Sequence, residues 1–298
     1  MTAPTVVVPD PLRPAPRLGL GPLGIAVRLI VAVVVLMGAN LLAMGAVPGF
    51  LSLIPAARDA FGGSSPLGFV LGVVLQALVL ALVVLATGGW MRWVERRPLR
   101  DAGWRWSRRS IIWLLLGVVV AAGTLVAVVA LLPSTGPVLP EDELPGGGAP
   151  VVLVLLYLLG QAFLQQAIPE ELLFRGWLLS TMHARPVVAV LVTTLAFTAI
   201  HLVSNGGQQS PIEHVLYLAL PFGFSLLAVG LLLWTGSLWA AAGVHGGFHV
   251  GNAIATVVLP QVDPVVSWLA IGGVQAVIGV VLTITAVRRG RGILEGRD

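Results

Sequence analysis

Long apolar runs dominate this sequence, and short stretches rich in Pro, Gly and Arg separate them. A helix needs about 20 apolar residues to cross the hydrocarbon core of a bilayer. Runs of about that length predict membrane-spanning helices at 24–46, 66–90, 110–132, 150–183, 186–203, 213–235, 237–259 and 264–287. The pattern therefore predicts an all-α, polytopic membrane helical bundle with about eight transmembrane helices.

The fourth apolar run, 150–183, differs from the others because it is too long for a simple span and holds polar residues in its second half. Pro169, Glu170, Glu171 and Arg175 all lie there. Proline kinks helices, and polar groups at this depth need protection from lipid. We expect a kinked or tilted helix whose polar half lies inside the bundle.

Composition supports one membrane domain. Hydrophobic residues make up 57% of the chain and charged residues 10%, and the mean hydropathy is +0.97. So few polar residues cannot cover the surface of a soluble globule. We expect a membrane domain at 24–287 between two tails, 1–23 and 288–298. The chain has no cysteine, which excludes disulfides and a cysteine nucleophile.

The basic residues are 17 arginines and no lysine, and they cluster. The segment between the second and third spans holds Arg92, Arg96, Arg97, Arg100, Arg105, Arg108 and Arg109, and the C-terminal tail holds Arg288, Arg289, Arg291 and Arg297. The opposite segments hold Arg58 and the acidic residues Glu141, Asp142 and Glu143. Because cytoplasmic loops are enriched in arginine, we expect a multi-pass plasma-membrane protein with both termini cytoplasmic. Clustering of this kind indicates membrane topology, and we expect membrane lipids and no nucleic acid among the partners.

Three of the predicted spans carry ionisable residues at bilayer depth. They are Glu170, Glu171 and Arg175 in the fourth span, His201 in the fifth, and His245 and His249 in the seventh. Such a residue costs at least about 2.5–3.5 kcal/mol in the membrane, so it is a functional candidate. Counted from the cytoplasmic turns at 1.5 Å per residue, Glu170 and the three histidines lie roughly 14–24 Å deep. They are expected to form one polar layer.

Spacing within each helix suggests how these residues are arranged. Glu171 and Arg175 are four residues apart and can pair, while Glu170 is rotated by about 100° and can face a cavity. Phe197 precedes His201 by four residues, so its ring can pack on the imidazole. His245 and His249 share a helix face, with Asn252 three residues further on.

These residues also form three ordered motifs. Residues 170–175 have the form E-E-x-x-x-R, residues 197–201 have the form F-x-x-x-H, and a third motif begins at His245. Together they resemble the CPBP family of intramembrane proteases, which includes the type II CAAX prenyl endopeptidases and the Abi-type proteins. The resemblance covers about 150–260.

The resemblance implies a role for each motif residue. Glu170 and His201 would activate a water molecule that attacks a peptide carbonyl, and Glu171 with Arg175 would support the site. His245 and a partner four residues later would stabilise the oxyanion. That partner is usually Asn or Asp in the family and is His249 here, so Asn252 is a second candidate for the role. The substrate would be a membrane-embedded or lipidated peptide or protein.

Two alternatives use the same polar layer. The first is a zinc-dependent intramembrane protease in which Glu170, His201, His245 and His249 hold the metal, since zinc accepts three or four such ligands. The H-E-x-x-H motif of many zinc peptidases is missing from the sequence. The second alternative is a non-enzymatic membrane scaffold or immunity-type protein. If Glu170 and His201 activate water directly, no cofactor is expected. Zinc is expected only if the protein is the metal-dependent protease.

Overall fold

The computed structural model describes residues 15–55, 58, 65–140 and 149–289. It contains eight long helices within those residues: α1 Pro22–Leu51, α2 Pro66–Trp93, α3 Arg108–Leu131, α4 Val151–Thr181, α5 Pro186–Val203, α6 Pro211–Thr235, α7 Leu238–Val258 and α8 Pro264–Arg288. The predicted all-α membrane bundle is confirmed. Arg13, Arg291, Arg297 and residues 141–143, which entered the topology prediction, lie outside the described residues.

Seven of the helices in the described part of the chain are long and apolar enough to span a membrane. The other is α7, which has 21 residues. It is long enough for a span at about 1.5 Å per residue, but His245, His249 and Asn252 lower its hydropathy. The protein is thus an integral membrane protein, and the long helix that is less apolar than a typical span carries two predicted site residues, His245 and His249.

Proline interrupts neither α1 nor α4. The prediction ended the first span at residue 46, but α1 continues to Leu51 through a π-helical stretch, Leu41–Ala46, that precedes Pro48. In α4 the π-helical stretches Gly160–Ala167 and Leu172–Leu178 flank Pro169. A wider helical turn re-accommodates backbone groups that proline leaves without partners. The irregularity expected in the fourth span is therefore a change of helix type.

Glycines bring α7 against α3, its most extensive partner. A Cβ atom at Gly243 would collide with the backbone of Leu114, and one at Gly247 would lie 2.6 Å from the Cα atom of Val118. Gly223 of α6 meets Gly272 of α8 in the same way. Close backbone contact through small residues is the usual packing of membrane helices. It fixes the rotation of α7 and hence the direction of its histidines.

The bundle has two distinct ends. At the first, here called the strand end, β1 Ser134–Gly136 pairs antiparallel with β2 Gln261–Val262, and Tyr217 near the start of α6 packs on Trp268 near the start of α8. At the second, the arginine end, Arg97 donates a 2.8 Å hydrogen bond to the hydroxyl of Thr181, and the indole of Trp239 donates to the carbonyl of Arg105. The helices run between these two ends.

A buried ion pair between Arg28 and Glu95 ties α1 to the arginine end. Arg28 Nε lies 2.7 Å from Glu95 Oε1, and its Nη2 lies 3.0 Å from Oε2. The indoles of Trp90 and Trp177 also donate to Glu95, at 3.1 and 3.4 Å. Burial by itself raises the pKa of Glu95, but the hydrogen bonds from Arg28 and Trp90 outweigh it and hold the pKa below its ordinary value.

Candidate active site

A cavity of about 560 Å³ lies among α4, α5, α6 and α7. Its lining includes all four residues that the sequence placed in one polar layer, and also Asn252: Glu170, His201, His245, His249 and Asn252. Three different helices, α4, α5 and α7, thus bring these side chains to one space. The volume is in the range of small-ligand sites, which begins at about 300 Å³.

Glu170 presents a carboxylate to this cavity. It follows Pro169, in the short α-helical stretch Ile168–Glu171 between the two π-helical stretches of α4. Its Oε2 atom is buried and has no hydrogen-bond partner within the described residues. Buried polar groups are nearly always paired, so this oxygen is available to a ligand or a water molecule in the cavity.

Glu171 points the other way, into the core. Its Oε1 accepts from Arg175 Nη1 at 2.9 Å and lies 3.2 Å from His245 Nδ1. Arg175 Nη2 donates to the hydroxyl of Ser225 on α6 at 2.5 Å. The guanidinium carbon of Arg175 also lies 4.1 Å from the ring centre of Phe197, which is a cation–π distance. The expected pair is present and connects α4, α5, α6 and α7.

His201 lies where α5 tightens into a 3₁₀ turn, His201–Val203. Its Nδ1 is 2.8 Å from the carbonyl oxygen of Phe197, and its ring centre is 4.7 Å from the Phe197 ring. A carbonyl oxygen only accepts hydrogen bonds, so Nδ1 carries the proton and Nε2 of the neutral ring keeps its lone pair. His201 therefore offers the cavity an acceptor nitrogen in a fixed orientation.

His245 and His249 stack on one another along α7, with ring centres 5.4 Å apart and planes 24° apart. Phe224 of α6 packs on His245 at 4.9 Å between ring centres. Both rings line the cavity. Nδ1 of His245 lies at hydrogen-bond distance from Glu171, whereas neither ring nitrogen of His249 has a partner among the described residues.

Residues 150–251 match the family described as type II CAAX prenyl endopeptidase Rce1-like. This similarity covers about a third of the chain, and residues 150–251 are called the Rce1-like domain after it. The match confirms the resemblance to CPBP-type proteases over that range, and it contains all three motifs. No curated protein matches the chain significantly. The Rce1-like domain comprises α4, α5, α6 and the first two thirds of α7.

The placement of His, Asp and Glu side chains bears on whether the protein could bind a metal ion. Within the described residues, no three His, Asp or Glu side chains are placed so that they could hold a metal ion. The zinc set predicted from the sequence, Glu170 with the three histidines, lines one cavity but has no support from this geometry, and it stays a prediction. Glu170 and Glu171 diverge from their adjacent positions on α4, and His245 turns one nitrogen towards Glu171.

Sequence reasoning missed several polar residues of the Rce1-like domain. Ser225 holds Arg175, and the cavity is also lined by Gln161, Gln166, Ser204, Asn205 and Tyr217. The two glutamines lie in an apolar run, where a polar side chain is itself a signal. Ser225 gave no such signal, because serine is common in membrane helices and only its contact with Arg175 distinguishes it.

Proposed function

We propose that the Rce1-like domain is an intramembrane endopeptidase that hydrolyses a peptide bond with water activated by Glu170 and His201. The observation that supports this most is the buried, unpartnered Oε2 atom of Glu170 in a cavity that it shares with three histidines. A carboxylate and an acceptor imidazole in one cavity are the groups that general base catalysis needs.

In the proposed reaction, water hydrogen-bonds to the Glu170 carboxylate and to Nε2 of His201. Glu170 takes one proton as the water oxygen bonds to the peptide carbonyl carbon, and the carbonyl oxygen becomes an oxyanion. Glu170 then gives this proton to the leaving nitrogen as the carbon–nitrogen bond breaks. The products are a carboxylic acid and an amine, and each proton is accounted for by side chains of this chain.

His249 is the side chain that we assign as the main oxyanion donor. If Glu171 is ionised, it accepts the proton on His245 Nδ1, and a neutral His245 then has no proton on Nε2. His245 can donate to an oxyanion only as an imidazolium or if Glu171 carries the proton. His249 has no hydrogen bond to a described residue, so its neutral ring can direct an N–H towards the oxyanion. Histidine at this position can thus replace the amide or carboxyl group usual in the family.

The orientation that we propose for the protein rests on its arginines. Twelve of the described arginines lie at the arginine end or the adjoining helix termini: Arg17, Arg28, Arg92, Arg96, Arg97, Arg100, Arg105, Arg108, Arg109, Arg185, Arg288 and Arg289. The positive-inside rule places this end in the cytoplasm, and with it both termini. The proposed location is the plasma membrane. The proposed partners are lipids and a membrane-embedded or lipidated peptide substrate.

The test is cleavage of a library of membrane-anchored peptides in proteoliposomes, with products identified by mass spectrometry. Wild type should cleave a subset of the peptides, and Glu170→Gln should cleave none because it removes the base at nearly constant volume. Glu213→Gln is the matched control, since Glu213 is a carboxylate near the start of α6 that does not line the cavity. It should retain full activity. Equal cleavage by wild type and Glu170→Gln would reject the proposal and favour a non-enzymatic role.

A further inference from the structure

A second cavity, of about 630 Å³, lies at the arginine end of the bundle. It shares no lining residue with the cavity that holds Glu170. The end of α2 and the turn that follows form its walls, with the lining residues Gly88, Arg92, Trp93, Arg96, Arg97, Pro98 and Leu99. Three of these residues are arginines and none is acidic. We call this space the arginine cavity.

The turn after α2 forms this cavity because it folds back along the helix. Arg96 adopts the left-handed conformation, with φ of 55°, and the backbone N–H of Arg97 then donates to the carbonyl of Met91 at 2.9 Å. Leu99 returns as far as Gly88, where a Cβ atom would lie 3.8 Å from the Leu99 Cδ2 atom. Glycine or asparagine adopts the left-handed conformation at lower cost than arginine. An arginine at this strained position is therefore better explained by what its side chain binds than by the turn itself.

Two of the three guanidinium groups have no partner among the described residues. Arg92 and Arg96 are exposed, and neither forms a hydrogen bond or an ion pair with a described residue. Arg97 is held in place, because its Nη2 donates to the hydroxyl of Thr181 at 2.8 Å. The nearest carboxylate along the chain belongs to Glu95, which is buried in the ion pair described above. The arginine cavity thus has a surplus of positive charge that a bound anion would neutralise.

The place of the arginine cavity at the end of a membrane-spanning helix favours a lipid as the source of that anion. The candidate span α2 ends at Trp93, whose side chain is 66% exposed. Exposed tryptophan near the end of a span is typical of the membrane–water interface, where lipid headgroups lie. Leu85, which is 72% exposed, lies seven residues before Arg92 and hence on the same face of α2. An apolar surface for acyl chains therefore continues from the basic surface for a headgroup.

We propose that the arginine cavity binds the phosphate group of an anionic phospholipid. Arg92 and Arg96 donate paired N–H groups to the phosphate oxygens, a geometry that suits the planar guanidinium. The indole N–H of Trp93 is a further donor at the interface. The acyl chains lie along the face of α2 that holds Leu85. The site requires only that α2 ends at a membrane surface, whichever side of the membrane that is, and it is independent of peptide cleavage.

Lipid binding is measured on the purified chain in a nonionic detergent, by native mass spectrometry and by thermal unfolding. The probes are dioleoyl phosphatidylglycerol, which is anionic, and dioleoyl phosphatidylcholine, which is zwitterionic and has the same acyl chains. Inorganic phosphate and glycerol phosphate supply the anion without the chains. Phosphatidylglycerol should stay bound and raise the melting temperature, because a ligand that binds only the folded state stabilises it. At the same concentration the other three probes should raise it much less.

Two variants change the arginine cavity in different ways. Arg96→Gly removes one guanidinium and suits the left-handed turn, so it should fold as stably as wild type and bind phosphatidylglycerol about tenfold more weakly. Gly88→Leu should fill the cavity and exclude the headgroup, and it should fold because a Cβ atom there contacts only Leu99. Arg100→Gln is the matched control, since Arg100 is an exposed arginine at the same end that does not line the cavity.

The expected result is a smaller rise of melting temperature in both variants and the full rise in Arg100→Gln. An equal rise in wild type and Arg96→Gly would overturn the proposal, as would equal affinity for phosphatidylcholine. An equal rise with inorganic phosphate would identify a soluble anion as the ligand and reject the lipid. A loss of the same size in Arg100→Gln would show that net charge, and not this cavity, attracts the lipid. Arg92→Gln supplies the second readout if Gly88→Leu does not accumulate in the membrane.

Discussion

Two buried Arg–Glu pairs in this protein differ in how completely they are satisfied. Arg28 uses all five of its N–H groups: two on Glu95, and the others on the carbonyl oxygens of Leu18, Gly19 and Gly24. Both carboxylate oxygens of Glu95 accept hydrogen bonds. The pair joins α1 to the arginine end and lies outside the lining of the cavity that holds Glu170.

The second pair, Arg175 with Glu171, is incompletely satisfied within the described residues. Arg175 Nε and Glu171 Oε2 are buried without a hydrogen-bond partner. Beside them, Glu170 also has an oxygen without a partner. Burying a polar group without a hydrogen bond costs free energy, so this region lowers the stability of the folded protein in a way that the first pair does not. Both pairs connect helices, but only the second leaves buried polar atoms without partners, and we propose that these atoms serve chemistry.

The largest expected effect on stability comes from removing one partner of the satisfied pair. Arg28→Ala leaves Glu95 buried without its main partner and should lower the free energy of unfolding by about 3–5 kcal/mol. Thermal unfolding in detergent measures this. The purified variant should still cleave peptides below its melting temperature. Loss of turnover in protein that remains folded would show that the pair acts on the site as well.

The next effect concerns the unusual histidine of the cavity. His249→Ala should lower turnover by about 10²–10³, the usual cost of removing an oxyanion donor. His249→Asn, which restores the residue usual in the family, should retain most of the activity. The same samples are analysed for bound metal. Inactivity of both variants together with loss of stoichiometric zinc would contradict the oxyanion role and revive the zinc alternative.

Ser225→Ala should have a smaller effect. It leaves Arg175 Nη2 without its partner on α6 and should destabilise the protein by about 1–3 kcal/mol. Ser237→Ala is a matched control, because Ser237 is also buried and its hydroxyl has no hydrogen bond to any described residue. Equal stability of the two variants would show that the Arg175–Ser225 contact contributes nothing.

The smallest expected effect is the pH dependence contributed by Glu95. Its pKa is lowered in the folded protein, so its contribution to stability is present above its unfolded pKa and is lost as pH falls through the folded value. Melting temperature should therefore fall on acidification, and less steeply in Glu95→Gln. Identical slopes for wild type and Glu95→Gln would contradict this assignment.

The helices and the polar layer could be predicted because each has a local signal. Long apolar runs mark the spans, and ionisable residues such as Glu170 and His245 stand out within them. Arg28 is also an ionisable residue in an apolar run, but that run is long enough to be read as an ordinary span. Its partner Glu95 lies 67 residues away, among many arginines. No local pattern connects these two positions.

The complete lining of the cavity could not be predicted for a related reason. It depends on how each helix is rotated about its axis, and glycine contacts such as that of Gly243 with Leu114 decide this rotation. The hydrogen bond between His245 Nδ1 and Glu171 likewise depends on the packing of α7 against α4. Depth along a helix can be counted in the sequence, whereas rotation and contact follow from packing.

The most direct test of the account compares Glu170→Gln with Glu171→Gln in turnover and melting temperature on the same purified samples. Glu170 has an unpartnered oxygen in the cavity, so Glu170→Gln should abolish cleavage and leave the melting temperature equal or higher. Glu171 accepts from Arg175, so Glu171→Gln should lower the melting temperature. A Glu170→Gln protein that cleaves peptides as fast as wild type, or one that unfolds as readily as Glu171→Gln, would contradict the central claim that Glu170 serves chemistry and not stability.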